Sequence, residues 1–311
     1  MRRGIATTAL AALLLAGCDG SGGSADPGPD PGPDAEASAA TSDTSGSASE
    51  PTGDPGPVVT CPDAALMDPD PTLPDEVPDG ATSVRLCDGG ADKVTPPDDA
   101  LTTGVEPVVT AVNEQPLAKR DCIDRRVPEY QLAFGYPDGS RYVVAGRFTA
   151  CAELLVGSAR RAKAGPALRT FVESIVAQRA TATPPDPVDP ASLDCAQERE
   201  LWTYPLADPT GLTVAALCHG DPQHPGRGRP VPIPSDDLET LTASMRTDTV
   251  ETAGMFCSAV RARYWIVGAN AWGDPITMDH GCVGLTLSGE HDWTPRGEAR
   301  AIVRRLVAEA R

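Results

Sequence analysis

Two stretches of alternating apolar and polar residues, each ending on a cysteine, open two similar successions of elements. Ser83-Val84-Arg85-Leu86-Cys87 and Thr213-Val214-Ala215-Ala216-Leu217-Cys218 read as strands, because a period of two places alternate side chains on one face. A Pro-containing loop follows each, then a weak helical period: Leu101, Val105, Val108, Val109 and Val112 in the first, Leu238, Leu241 and Met245 in the second. Pro107 has no amide hydrogen, so it splits the first of these into a turn and a short helix. A hairpin comes next. Tyr130, Leu132 and Phe134 lead into Tyr136-Pro137-Asp138-Gly139, and residues 142–148 return, Asp-Gly between alternating runs being a strong turn signal. The second copy has residues 264–267, then Trp272-Gly273-Asp274-Pro275, and a shorter return.

Each succession closes on a helix. Phe171, Val172, Ile175 and Val176 repeat at helical spacing, and a shift of 131 positions carries them onto Ile302, Val303, Leu306 and Val307 and carries Cys151 onto Cys282. Pro166 and Pro295 sit near the helix starts, and Thr294 suits the cap of the second. Its apolar face is Ala299, Ile302, Val303, Leu306, Val307 and Ala310. The pattern predicts an α+β fold of two tandem homologous small modules, residues 58–182 and 190–311. Each is an antiparallel sheet with packed helices, and residues 183–190 join them.

Ahead of the modules, Arg2 and Arg3 precede an apolar run from Ile5 to Leu15, too short to span a bilayer as a helix, that ends in Leu15-Ala16-Gly17-Cys18. This start resembles the signal peptide and lipobox of bacterial lipoproteins. The resemblance implies that residues 1–17 are removed and that Cys18 becomes the lipidated (palmitate-bearing) N-terminus. Acyl chains contribute about 0.8 kcal/mol per buried methylene, so two or three hold a domain on a membrane. Residues 18–57 then form a linker. From 19 to 57 the chain is almost wholly Gly, Pro, Asp, Ser, Ala and Thr, with eight acids and no lysine or arginine. Such a tract has nothing to bury and is expected to be disordered, with a coil reach of about 35 Å.

The net charge is −18, and its concentration in the linker and in residues 58–100 leaves the rest nearly neutral. An acidic chain of this kind argues against nucleic acid as a partner. Of nine cysteines, eight remain once Cys18 is set aside, an even number with no CxxC pair. In an exported chain that pattern reads as a disulfide framework rather than as zinc or redox chemistry. Four cysteines allow three pairings per module. Neighbours are expected to pair: Cys61–Cys87, Cys122–Cys151, Cys195–Cys218 and Cys257–Cys282. Cys122 and Cys151 then face each other across the open end of the first hairpin; the second hairpin fits this less closely.

Candidate chemistry gathers in the second module. His219 and His224 share one loop and His280 follows Asp279, a set of donors suited to zinc or copper, but no HExxH or comparable helix-borne spacing accompanies them. They read as loop histidines, with no metal or cofactor assigned. Ser288-Gly289-Glu290-His291-Asp292 puts triad residue types in one short run, whereas triads assemble from separate elements. Paired carboxylates for hydrolysis leave no local signature. Trp272 at the second hairpin tip and Trp293 in the loop after Cys282 are the binding candidates, since an exposed tryptophan buries much area on a partner or a sugar; Trp265 reads as core.

The LC-loops, the YPDG hairpin and the Arg-over-Lys, Pro-rich composition loosely resemble uncharacterised actinobacterial secreted and lipid-anchored modules, a likeness that implies no activity. The expected function is that of a non-catalytic lipoprotein anchored to the extracytoplasmic face of the cell membrane. Its disulfide-held loops would bind an envelope protein, wall polymer or small ligand. Alternatives are a hydrolase using carboxylates or the second module's histidines, and a protease inhibitor.

Overall fold

The alternating run that ends at Cys87 is strand β1 (Ser83–Asp88), and it pairs antiparallel with the run around Leu132, strand β2 (Tyr130–Gly135). Between them lies helix α1 (Glu106–Asn113), which carries Pro107 in its first turn and buries Val108, Val109 and Val112. The Pro-Asp-Gly turn then returns the chain as β3 (Arg141–Gly146), and Gly139 takes the positive φ of +81° that this turn requires. In the computed structural model the described residues are 57–119, 126–148, 151–195, 207–220, 229–252, 264–279, 283–288 and 291–311. Cys18, Cys122, Cys257, Cys282, His224 and His280 lie outside them, as do the signal and the linker before residue 57.

A second hairpin that the hydrophobic pattern did not announce, β4 (Glu153–Val156) and β5 (Ala159–Ala162), completes an antiparallel sheet of order β1-β2-β3-β4-β5. Its strands are four residues each and carry Glu153, Arg160 and Arg161, too short and too polar to show a period. Helix α2 (Ala164–Arg179) then packs Ala167, Leu168, Phe171 and Ile175 onto the sheet. Pro166 falls inside its first turn, where no amide hydrogen is needed. Val176, expected on the apolar face, is exposed.

All six residues of β2 are buried because both faces of the sheet are covered. Tyr130, Leu132 and Phe134 face the helices, while Ala133 lies under Val59 and the Cys61–Cys87 disulfide. Gln131, on that second face, accepts from Leu66 N and donates to Asp88 O, so its burial leaves no polar atom wanting.

The second half has its own four-stranded sheet and a smaller three-stranded one. Strand β6 (Leu212–His219) pairs with β7 (Arg229–Pro232) on one side and β9 (Tyr264–Asn270) on the other, and β10 (Pro275–Met278) completes a sheet of order β10-β9-β6-β7. Helix α3 (Ser235–Thr247) buries Leu238, Leu241 and Met245, as the periodicity predicts. A separate three-stranded sheet, β11-β12-β8, is made from β8 (Thr249–Glu251), β11 (Leu285–Ser288) and β12 (His291–Trp293). Helix α4 (Gly297–Glu309) closes the chain on Ala299, Ile302, Val303 and Leu306. Thr294 does not cap it; its hydroxyl donates to Val283 O, and the cap position is Arg296.

Charge is buried in the first half, and it is engaged in joining segments. Arg147 and Glu153 are both wholly enclosed and pair at 2.7 Å, and Arg160 reaches the same Glu153 Oε1 at 2.7 Å. Arg161 donates to Asn113 O and Gln115 O, the free carbonyls past α1, and to Asp75 O. Tyr142 and Tyr136 donate to Pro74 O and Pro78 O. Residues 66–78 are thereby strapped to the sheet chiefly by side chains, with one backbone bond, from Asp70 N to Gly157 O at 2.7 Å, and no strand pairing.

Candidate functional site

Trp272, the hairpin-tip candidate, is the place where the two halves meet. The turn that carries it is built by Asn270. Its Oδ1 accepts from Trp272 N at 2.9 Å and Asp274 N at 3.0 Å, and its Nδ2 donates to Asp274 Oδ2 at 2.8 Å. Gly273 supplies the left-handed residue, with φ +81°. The result aims Asp274, only 6% exposed, away from the second half's sheet and at the end of α2.

There it meets Arg179, in the last turn of α2. The guanidinium forks onto two carboxylates. Nη1 and Nη2 donate to Asp274 at 2.5 and 3.0 Å, while Nε and Nη2 donate to Asp99 at 3.0 and 2.5 Å. Trp272's ring lies 5.0 Å from the guanidinium carbon, a cation–π contact. Asp99 is held in reach by the preceding residue of α2. Gln178 accepts from Thr102 N and Thr103 N and donates to Ala100 O, so the loop of residues 99–103 is gripped by its backbone. Burial by itself would lower the Arg179 pKa, but the hydrogen bonds from Asp99 and Asp274 outweigh it and raise it, so the cation is fixed in charge.

The structure therefore corrects the expectation of a free tryptophan at the tip: Trp272 is half-buried on the other half of its own chain. Trp293 is corrected more fully. It is not in a loop but in strand β12, is wholly buried in the second core, and donates from Nε1 to Ser244 Oγ at 3.0 Å. The exposure on which its binding role rested is absent. Trp265 is core, as read, and packs with the Cys195–Cys218 disulfide, Ala216 and Val267 on the outer face of its sheet.

His219 ends β6 and is half-buried, and His291 begins β12 on the surface. Among the described residues, no three of His, Cys, Asp and Glu converge as a metal-holding group, and His224 and His280 lie outside those residues. Asp292, from the triad-like run, is buried and accepts from Val283 N at 2.9 Å. Of the expected disulfides, Cys61–Cys87 and Cys195–Cys218 are present with Cα atoms 5.7 Å apart in each, and Cys151 is disulfide-bonded. The partner expected for Cys151 and the Cys257–Cys282 pair lie outside the described residues.

The first half has an open groove of about 430 Å³ where residues 57–60 cross the β2–β3 turn, lined by Val58, Tyr136, Ser140 and Arg141 among others. Tyr136's hydroxyl is pushed up to about 12 by burial and by the charge of Asp79. Arg141 is engaged with Thr60 O and Cys61 O. Sequence reasoning missed Arg179, Asp99 and Asp274 as a group. The residues are far apart in the chain, and the local sign was an Asn-x-x-Gly-Asp turn, which specifies a hairpin but not what its carboxylate meets.

The chain matches no protein-family model, no curated protein and no solved structure. Among the described residues, no helix is long and apolar enough to cross a membrane.

Proposed function

We propose that this chain is a lipid-anchored, non-catalytic binding protein of the bacterial envelope, with Cys18 as the acylated residue and residues 18–57 as the tether. The observation that carries the reading is the pair of disulfides, Cys61–Cys87 and Cys195–Cys218. Widely spaced structural disulfides persist outside the reducing cytosol, which is where a signal of the Leu15-to-Cys18 kind sends a chain. Each one staples the segment before a first strand to that strand's end, in the same position of both halves.

We further read the halves as two copies of one module. Strand, helix, hairpin, second hairpin and helix follow one another in both, the second half adding β7 and β8 and setting its second hairpin in a separate sheet, and β1-β2-β3 corresponds to β6-β9-β10 with the same antiparallel pairing. The two central turns share their hydrogen bonds: Gly139 N to Tyr136 O and Tyr136 N to Ser140 O in one, Gly273 N to Asn270 O and Asn270 N to Asp274 O in the other. A binding role is supported by how charge is used. Arg147, Arg161 and Arg179 all hold loops and straps in fixed positions, which makes a rigid carrier for exposed turns.

The test is fatty-acid labelling of the full-length chain and of Cys18→Ser in a bacterium that processes lipoproteins. Label on the former only, with the variant released from the membrane fraction, is expected. A wild-type chain without label and with all its cysteines titratable as thiols overturns the proposal. Photo-crosslinking from Asp138, at an exposed turn, is expected to give discrete envelope adducts; turnover of ester or glycoside substrates by the purified chain refutes the non-catalytic part.

A further inference from the structure

Helix α4 carries its charges on two separate flanks. At about 100° per residue, Glu298, Arg305 and Glu309 fall on one side of the buried stripe and Arg300 and Arg304 on the other. The first flank is internally neutralised: Arg305 pairs with Glu309 at 3.2 Å and also with Asp237 of α3. The second is not. Arg300 and Arg304 are exposed, as are Arg296 at the cap and Arg311 past the helix end, and among the described residues Arg296, Arg300 and Arg304 make no side-chain hydrogen bond or ion pair. Arginines one turn apart repel each other, so this flank is unfavourable for the isolated helix.

The corresponding helix of the first half shows that the fold does not need it. The shift of 131 that aligns the two closing helices places Arg169 and Glu173 of α2 on Arg300 and Arg304, so where α4 has two like charges one turn apart α2 has one of each sign. What α4 has in place of a balanced surface is a row of fixed cations, each a planar fork of donors matched to phosphate oxygens.

Building on the envelope reading above, we propose that this arginine flank docks the second half on anionic phospholipid headgroups of the membrane to which the chain is tethered. The tether's reach of about 35 Å allows such a return to the surface. The chain's net negative charge sits mostly in positions 19–100, where Arg85 and Lys93 are the only basic residues, and charges beyond about 8 Å are largely screened at physiological ionic strength, so the net charge of −18 does not forbid a local cationic contact. Each arginine at such a surface strengthens binding about fivefold.

The experiment uses the mature chain, residues 18–311, with Cys18→Ser, so that vesicle sedimentation reads the protein surface and not the acyl chains. Binding to equimolar phosphatidylcholine–phosphatidylglycerol vesicles, none to pure phosphatidylcholine, and weakening with added salt are expected. Arg300→Gln/Arg304→Gln is expected to lower the partition coefficient about 25-fold. Arg305→Gln, on the neutralised flank, is expected to leave it unchanged, and circular dichroism shows both variants folded. Equal binding to both vesicle types, indifference to the Arg300/Arg304 pair, or binding to a soluble phosphate polymer with none to vesicles overturns the proposal. Because the lipid-modified cysteine is absent from this assay, its outcome is independent of whether Cys18 is acylated in the cell.

Discussion

Replacing Arg179 by methionine keeps the apolar stem of α2's last turn and removes only the guanidinium. Two carboxylates are then left without their shared partner. Asp99 is partly open to water, with 29% of its side chain exposed, and rehydrates easily; Asp274, at 7%, does not. It retains Asn270 Nδ2 at 2.8 Å, one donor for a group that had three. Removing one partner of a buried pair leaves an uncompensated charge and costs about 3–5 kcal/mol, and the attraction between the cation and the Trp272 ring disappears as well. For a folded body of this size that corresponds to a fall in Tm of roughly 10 °C. The measurement is urea denaturation of the disulfide-intact mature chain, wild type against Arg179→Met. The diagnostic partner is the triple variant Arg179→Met/Asp99→Asn/Asp274→Asn, in which no charge is left stranded; it is expected to recover at least half of the stability. A destabilisation below about 1 kcal/mol, the scale of an exposed pair, or a triple variant no more stable than the single one, refutes the argument that the clasp is a buried electrostatic joint between the halves.

Other consequences are more local. Trp293→Ala is expected to cost about 3–5 kcal/mol in the same assay, because it empties a wholly buried site; a stability near wild type returns Trp293 to the surface. Cys195→Ala/Cys218→Ala opens a loop with a sequence separation of 23 and is expected to cost about 3–4 kcal/mol, checked by chemical denaturation without reductant. Gly157 takes a φ of +49°, and a Cβ there would lie 1.7 Å from Pro74 O. Gly157→Ala is therefore expected to lift the strap of residues 66–78 and speed limited proteolysis within it. Burial raises the Asp88 pKa, against the bond it accepts from Gly90 N. An acid with a raised native pKa penalises the fold fully above that pKa and not at all below its unfolded value. Asp88→Asn is thus expected to stabilise at neutral pH and to gain nothing near pH ~3, where carboxyls are protonated in both states; equal gains at both pH values refute this.

Local order was legible from the residues alone wherever period or turn chemistry speaks. The strands ending at Cys87 and Cys218, the helices carrying Leu241 and Ile302, the Asp-Gly turn and the neighbour pairing of Cys61 with Cys87 and Cys195 with Cys218 all follow from spacing within a few dozen residues. Only the tertiary structure decided what those elements meet. The short hairpins β4–β5 and β11–β12 owe their place to the sheets they join, not to any alternation of their own. Trp293 is core because β12 pairs with β8 across more than forty residues, a contact that composition cannot announce. Asp99, Arg179 and Asp274 are each ordinary surface residues by type. Their value arises from a clasp in which α2, a loop and a distant turn exclude water together, and exclusion of water is a property of packing in three dimensions rather than of order along a chain.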